Sequence, residues 1–159
     1  MGYDHSDTTT GFTTCFLCGA SILPGESETG DVCRDCYAKE RDRVNDNLRR
    51  AEMAGAPATL TLGAWLHTLR DFGGRCAYCE ENVFTELEHF VPLRDGGGTT
   101  PDNCVPACRV CNRGKGTDNP GVQPGLPGFG DERRERVRRY LAGRRAGDAA
   151  PSTDYSSNG

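Results

Sequence analysis

The sequence lacks any long hydrophobic run. None of its 159 residues belongs to an apolar stretch approaching the roughly 20 residues that a membrane-spanning helix needs. The opening segment, MGYDHSDTTTGF, also lacks the charged and apolar regions of a secretory signal. We therefore expect a cytoplasmic protein without membrane association.

Apolar residues are scarce as well. They make up 35% of the chain, beside 21 glycines and nine prolines. This composition excludes a single large hydrophobic core, and small folding units of this kind usually depend on disulfides or metal ions. Nine cysteines offer such cross-links. Only Cys104 stands alone, where a buried strand residue would fit, while the other eight form CxxC pairs: Cys15/Cys18, Cys33/Cys36, Cys76/Cys79 and Cys108/Cys111.

The chain has no overall excess of positive charge. Its formal net charge is −4 and its pI is about 5.4, which by themselves argue against a polyanionic partner. Lysine and arginine are nevertheless concentrated in three stretches, at 34–50, 109–115 and 133–145. Because local charge governs binding more than the total does, nucleic acid is not excluded. We expect salt-sensitive binding confined to these stretches.

The CxxC pairs have the spacing of metal sites. In a cytoplasmic chain, paired cysteines indicate metal binding more readily than disulfides. Two intervening residues let both sulfurs reach one ion, and a second pair completes a closed tetrahedron with no open position for water. We predict two structural zinc sites, one formed by Cys76, Cys79, Cys108 and Cys111 and the other by Cys15, Cys18, Cys33 and Cys36.

Local patterns predict the order of elements along the chain. Apolar residues at helical spacing indicate helices over 35–54 and 61–72, and Thr61 is the expected N-cap of the second. Alternation indicates a strand or hairpin arm over 83–93. A short strand is expected near 104–106, followed by a helix over 108–117 that Asn119-Pro120 ends. We divide the chain into a disordered start (1–13), a zinc ribbon-like unit (14–37), a helical connector (38–72), a central domain (73–120), a Pro/Gly linker (121–130), a basic helix (131–145) and a disordered tail (146–159).

Residues suited to phosphodiester hydrolysis lie between the central cysteine pairs. This reaction needs a base that activates water and a divalent ion that holds the phosphate. His89 is the one histidine between these cysteine pairs, and a neutral imidazole suits the base near pH 7. Glu88 and Asn112 offer the oxygen ligands that Mg²⁺ prefers. Neighbouring strand residues point to opposite faces, however, so Glu88 and His89 would converge only at a bulge or at the end of a strand.

The segment from about 74 to 120 resembles an HNH endonuclease domain. The resemblance rests on Glu88-His89, the PLxxGG-type run over 92–97, Asn103, and the CNxxKG ending over 111–116. The flanking CxxC pairs are typical of the four-cysteine branch of that family. The upstream LTLGAWL…FGGRCAYC is similar to sequences that precede such domains in bacterial and phage proteins.

The resemblance implies a fold and a set of roles. The fold is small α+β, a ββα-metal (His-Me finger) domain with structural zinc, preceded by a zinc ribbon or knuckle and helices. His89 would be the general base, Asn103 would stabilise the loop and orient His89, and Glu88 and Asn112 would bind a catalytic Mg²⁺ or Mn²⁺. Glu88 stands where aspartate is more common. Beside this site, Arg109, Arg113 and Lys115 are the expected nucleic-acid contacts.

Two classes of function compete. The first is a metal-dependent HNH endonuclease that hydrolyses DNA, nicking one strand per site, with double-stranded DNA as the expected substrate and RNA as the alternative. The second is a zinc-dependent nucleic-acid-binding module or adaptor without catalysis. The full set of Glu88, His89 and Asn112 favours the enzyme, since a binding module has no chemical need for it. No base-reading code and no oligomeric state is indicated by the sequence.

Overall fold

The computed structural model describes residues 11–115 and 131–148. The predicted disorder of 1–10 and 149–159, the linker over 121–130 and the end of the central domain lie outside these residues. The described chain is a small α+β structure, as predicted, although its division into the proposed segments stays a prediction. In chain order its elements are β1 (Thr13–Thr14), β2 (Ser21–Ile22), α1 (Arg34–Met53), α2 (Leu62–Asp71), β3 (Glu86–His89), β4 (Cys104–Ala107), α3 (Arg109–Lys115) and α4 (Asp131–Asp148).

Helices α1 and α2 confirm the predictions from periodicity. Helix α1 buries Val44 and Ala51 at helical spacing and ends at Met53, with Ala54 as its C-cap, after which Gly55 adopts a left-handed φ of 68°. At the start of α2 the hydroxyl of Thr61 accepts a hydrogen bond from the backbone N–H of Ala64 at 3.1 Å, as an N-cap does. The two helices pack through their predicted apolar faces.

A buried polar contact joins α1 to α2. Trp65 Nε1 donates to Glu40 Oε2 at 2.9 Å, and Arg43 Nε donates to the same oxygen at 2.9 Å. Trp65 and Leu69 are fully buried, so both belong to the core, as expected. The pairing with Arg43 compensates the charge that Glu40 brings into the interior.

The amino-terminal cysteine unit packs into this same core. Cys15, Ile22 and Val32 belong to one hydrophobic cluster with the apolar faces of α1 and α2. On the surface, Arg70 donates to both carboxylate oxygens of Asp31, at 2.6 and 2.8 Å. The Arg70 guanidinium lowers the pKa of the Asp31 carboxyl. The unit is therefore attached to α2 by both apolar packing and a bidentate ion pair.

Strands β3 and β4 and helix α3 form a ββα unit. The strands pair antiparallel, with Glu88 opposite Val105 and His89 opposite Cys104. The predicted strand over 83–93 is wrong in extent, because β3 ends at His89. Beyond it, Pro92 lacks the N–H that a strand would use, and 93–95 form a short 3₁₀ turn. The strand near 104–106 is confirmed.

Helix α4 covers the other side of the ββα unit. Val137 and Leu141 are buried in a second core cluster, which includes Val105 and Ala107 of β4 and residues of the central cysteine turn. The Tyr140 ring lies 4.6 Å from that of Phe72, centroid to centroid, and the Tyr140 hydroxyl donates to Asp71 Oδ2 at 2.6 Å. The helix is thus attached to the end of α2 as well as to the core. No helix among the described residues is both long and apolar enough to cross a bilayer.

Candidate metal centres and active site

Each predicted group of four cysteines is assembled in space. The four Sγ atoms of each group lie within 4.8 Å of one another. Cys18 Sγ and Cys33 Sγ are 3.7 Å apart, and Cys79 Sγ and Cys108 Sγ are 4.0 Å apart. Around a tetrahedral zinc with Zn–S bonds of about 2.3 Å, the sulfurs would be about 3.8 Å apart, whereas a disulfide needs about 2.05 Å. The two groups could each hold one zinc ion, and Cys104, buried elsewhere, belongs to neither.

The central cysteine group sets the position of α3 against the sheet. Cys76 and Cys79 lie in the turn before β3, while Cys108 and Cys111 begin α3. The side-chain amide of Asn82 donates to Cys108 Sγ at 3.6 Å, a bond that favours the thiolate as metal binding does. A metal ion bound by this group would therefore hold the turn before β3 against the start of α3.

His89 is the last residue of β3, and at the end of a strand a side chain no longer has to follow the alternation between the two faces. Its Nε2 lies 2.8 Å from the hydroxyl of Thr99, and that hydroxyl donates to the backbone oxygen of Asn47 in α1 at 3.0 Å. Burial lowers the pKa of His89 to about 4, and the cations of Arg50 and Lys115 contribute in the same direction. The imidazole is therefore neutral near pH 7, as a general base must be.

Asn103 stabilises the loops around the site. Its Oδ1 accepts from the backbone N–H of Val91 at 2.8 Å, and its Nδ2 donates to the carbonyls of Val91 and Gly98 at 3.0 and 2.8 Å. Gly97 makes this possible, because a Cβ there would lie only 1.8 Å from the Val91 carbonyl oxygen. Within the described residues these are its side-chain bonds, so the expected bond from Asn103 to His89 is not formed. Thr99 takes that place.

Glu88 points away from His89 into the interior. The carboxylate is 5% exposed, with Oε1 2.5 Å from Lys115 Nζ and Oε2 accepting from the Tyr78 hydroxyl at 2.5 Å. Burial raises the pKa of Glu88, and Lys115 and Tyr78 oppose that rise. Lys115 also donates to the backbone oxygen of His89 at 3.0 Å, so one ammonium group connects the two neighbouring residues.

Asn112 lies against a different glutamate. Its Nδ2 donates to Glu86 Oε2, and Arg109 Nε lies 3.9 Å from Glu86 Oε1. The structure therefore does not bring Glu88 and Asn112 into contact with each other. Strand alternation, which places Glu86 and Glu88 on one face, is the sequence signal that could have identified Glu86.

The predicted nucleic-acid contacts differ in accessibility. Arg109 and Arg113 are exposed on α3, whereas Lys115 is 1% exposed and paired with Glu88. Arg50, which no sequence motif singles out, is an exposed cation on α1 whose charge reaches His89. Its Nη1 donates to Asn47 Oδ1 at 3.3 Å, which holds it beside the residue that contacts Thr99.

Comparison with known proteins agrees with the geometry. The sequence model of the HNH endonuclease family matches residues 76–118. The Type IV methyl-directed restriction enzyme EcoKMcrA of Escherichia coli (strain K12) is 36% identical over 59 residues, a match that covers 31% of this chain and 21% of that protein. No solved structure matches the chain. The predicted resemblance and fold class are thus confirmed, and residues 76–118 are the segment that matches HNH endonucleases.

Proposed function

We propose that the chain is a metal-dependent endonuclease that hydrolyses phosphodiester bonds in DNA and nicks one strand per site. The observation that carries this proposal is a neutral, hydrogen-bonded His89 at the end of β3, inside the segment that matches HNH endonucleases. A zinc ion in each cysteine group would stabilise the fold. With four cysteine ligands, neither ion would have an open coordination position for substrate.

His89 acts as the general base in this proposal. Its neutral imidazole accepts a proton from the water that attacks the phosphorus. The ring can keep its orientation during transfer because Thr99, itself buried, holds one of its nitrogens. Asn103 acts less directly, since its bonds keep the loop from Val91 to Gly98 in place around the base.

Glu88 and Asn112 carry oxygen donors of the kind that a divalent cation prefers, but the two side chains have separate partners in this structure. Glu88 already holds a cation, the Lys115 ammonium, and the Asn112 contact with Glu86 uses the amide nitrogen and not the oxygen that would bind a metal. Glu88 and Asn112 would hold Mg²⁺ or Mn²⁺, provided that Lys115 leaves the carboxylate. When bound, such an ion would stabilise charge on the phosphate and the leaving oxygen.

Double-stranded DNA is the proposed substrate, with RNA as the alternative. The exposed guanidinium groups of Arg50 on α1 and of Arg109 and Arg113 on α3 could pair with backbone phosphates. Lys115 would join them only after leaving Glu88. The similarity to a methyl-directed restriction enzyme makes methylated DNA the first modified substrate to compare with unmodified DNA. We place this activity in the cytoplasm.

One observation favours the second candidate, a nucleic-acid-binding module without catalysis. The buried pair between Lys115 and Glu88 neutralises the carboxylate that the enzyme would use for its metal. If that pair persists when DNA and divalent ions are present, the chain would bind DNA without cutting it.

A plasmid assay separates the two candidates. The zinc-replete chain is incubated with supercoiled plasmid, methylated and unmethylated, in EDTA, Mg²⁺ or Mn²⁺, and binding to the same plasmids is measured in parallel. We expect open circular product only with a divalent ion. Binding without any nicked product under all of these conditions would favour the binding module.

A further inference from the structure

Thr99 lies in a loop, yet its backbone and its side chain are both held by hydrogen bonds. It is fully buried, and its backbone N–H donates to the carbonyl of Pro57 at 2.8 Å. Its own carbonyl accepts from the backbone N–H groups of Thr59 and Leu60 at 3.0 and 2.9 Å. Neighbouring Gly98 permits this approach, because a Cβ there would lie 2.6 Å from the Pro57 oxygen.

The Thr99 hydroxyl has two partners and only one proton. It donates that proton to the backbone oxygen of Asn47 at 3.0 Å. The 2.8 Å contact with His89 Nε2 must therefore have the imidazole N–H as donor and the threonine oxygen as acceptor. A proton on Nε2 leaves the lone pair of the neutral ring on Nδ1. No hydrogen bond to Nδ1 is found among residues 11–115 and 131–148.

We propose that Thr99 is a positioning residue, which fixes the orientation and tautomer of His89 by connecting it to the backbone of α1. This inference rests on the proposed nuclease function, because it assigns Nδ1 as the nitrogen that accepts the proton from water. The anchors of Thr99, Asn47 in α1 and the segment 57–60, lie outside the residues that match the HNH family. The helical connector is thus part of the active site and not only a link between two zinc-binding units.

Nuclear magnetic resonance of the histidine side chains tests the tautomer directly. The full zinc-replete chain is labelled with ¹⁵N-histidine and recorded at neutral pH, and His89→Gln identifies the signals of His89 among those of the three histidines. We expect His89 to be protonated on Nε2 alone. In Thr99→Val both neutral tautomers should appear, because the acceptor is gone, and Thr99→Ser should restore the single tautomer.

Cleavage kinetics supply the second readout. Thr99→Val should lower kcat about tenfold or more with little change in KM, an effect that corresponds to losing one orienting hydrogen bond, and Thr99→Ser should recover most of that loss. Thr68→Val is the matched control, because Thr68 is equally buried and its hydroxyl donates to a helical carbonyl, that of Ala64, at 3.1 Å. It should alter stability without changing the His89 tautomer or kcat.

The outcomes distinguish this inference from the nuclease proposal. A wild-type His89 protonated on Nδ1, a mixture of tautomers in the wild type, or an unchanged kcat in Thr99→Val would overturn the role of Thr99. If Thr99→Val does not fold, the wild-type tautomer and the Thr99→Ser kinetics still decide the question. A chain with the expected tautomer that cuts no nucleic acid would refute the nuclease function alone.

Discussion

At the scale of single residues, the arrangement around His89 depends on where each proton and charge is held. The Lys115 ammonium contacts the Glu88 carboxylate and the backbone of His89, and it is as deeply buried as the carboxylate. Removing one member of a buried ion pair leaves the other without compensation, which usually costs more than the pair contributes when intact. The same pair occupies the carboxylate that a divalent ion would need.

Replacing Lys115 should therefore have two linked effects. We expect Lys115→Met to lower the free energy of unfolding by about 3 kcal/mol without divalent ions, because Glu88 is left buried and unpaired. Mn²⁺ or Mg²⁺ should restore part of this loss, since an ion that binds only the folded chain stabilises it. Urea unfolding of the zinc-replete variant, with and without the ion, measures both effects.

A neighbouring arginine provides the control for that experiment. Arg113 lies on the same helix but is exposed, so Arg113→Met should change the free energy of unfolding little and should not alter the response to divalent ions. Equal responses of the two variants would contradict the role assigned to the Lys115–Glu88 pair.

At the scale of elements, helix α1 contributes to the site through its carboxyl-terminal half. Asn47 holds Thr99, and Arg50, one turn later, places an exposed cation near His89. The helix itself could be predicted from its apolar spacing and its glycine stop. Its contact with Thr99 could not, because Asn47 and Thr99 are 52 positions apart and no local pattern relates them.

The two adjacent arginines of α1 allow the proposed DNA contact to be tested. Arg50→Ala should weaken DNA binding and reduce the slope of log affinity against log salt by about one phosphate contact. Arg49→Ala removes the same charge, but Arg49 is paired with Asp46 on the exposed surface, so its effect should be smaller. Titrations at several salt concentrations compare the two, and equal effects would argue that only net charge matters.

The strands show the limit of sequence patterns at this scale. Alternation predicted a strand around Glu88 and His89 but extended it to residue 93, whereas β3 ends at His89. Pro92 has no backbone N–H to donate to a neighbouring strand, and the chain turns after it. The same alternation places Glu88 and His89 on opposite faces of the strand, and in the structure their side chains have different partners, Lys115 and Thr99. Glu86, two residues before Glu88 and on the same face of β3, is the partner of Asn112. The sequence pattern alone did not indicate which of the two glutamates would contact Asn112.

At the scale of the whole molecule, each core contains one cysteine group. Cys15 belongs to the cluster around α1 and α2, and Cys76, Cys108 and Cys111 belong to the cluster that α4 covers. Both groups could be predicted from the cysteine spacing alone. Their packing could not, since the sequence suggested a separate amino-terminal unit, whereas Cys15 and its apolar neighbours are in the core of α1 and α2.

Removing zinc should therefore affect the entire fold. We expect two zinc ions per chain by elemental analysis, and a strong chelator should abolish most of the helical circular dichroism, because neither core is large enough to persist alone. Cys79→Ser should lose one ion, whereas Cys104→Ala, a buried cysteine in neither group, should keep both. A purified chain that is folded without zinc would contradict this architecture.

The central claim is that the HNH segment cuts DNA with His89 as its base. The rate of plasmid nicking by the zinc-replete chain in Mg²⁺ or Mn²⁺, compared between the wild type, His89→Ala and His67→Ala, tests it most directly. His67 is an exposed histidine beside Asp71 on α2, so its replacement should leave the rate near that of the wild type. We predict that His89→Ala lowers the rate by about 10²-fold or more, as loss of a general base does. Equal nicking by the wild type and His89→Ala would contradict the claim.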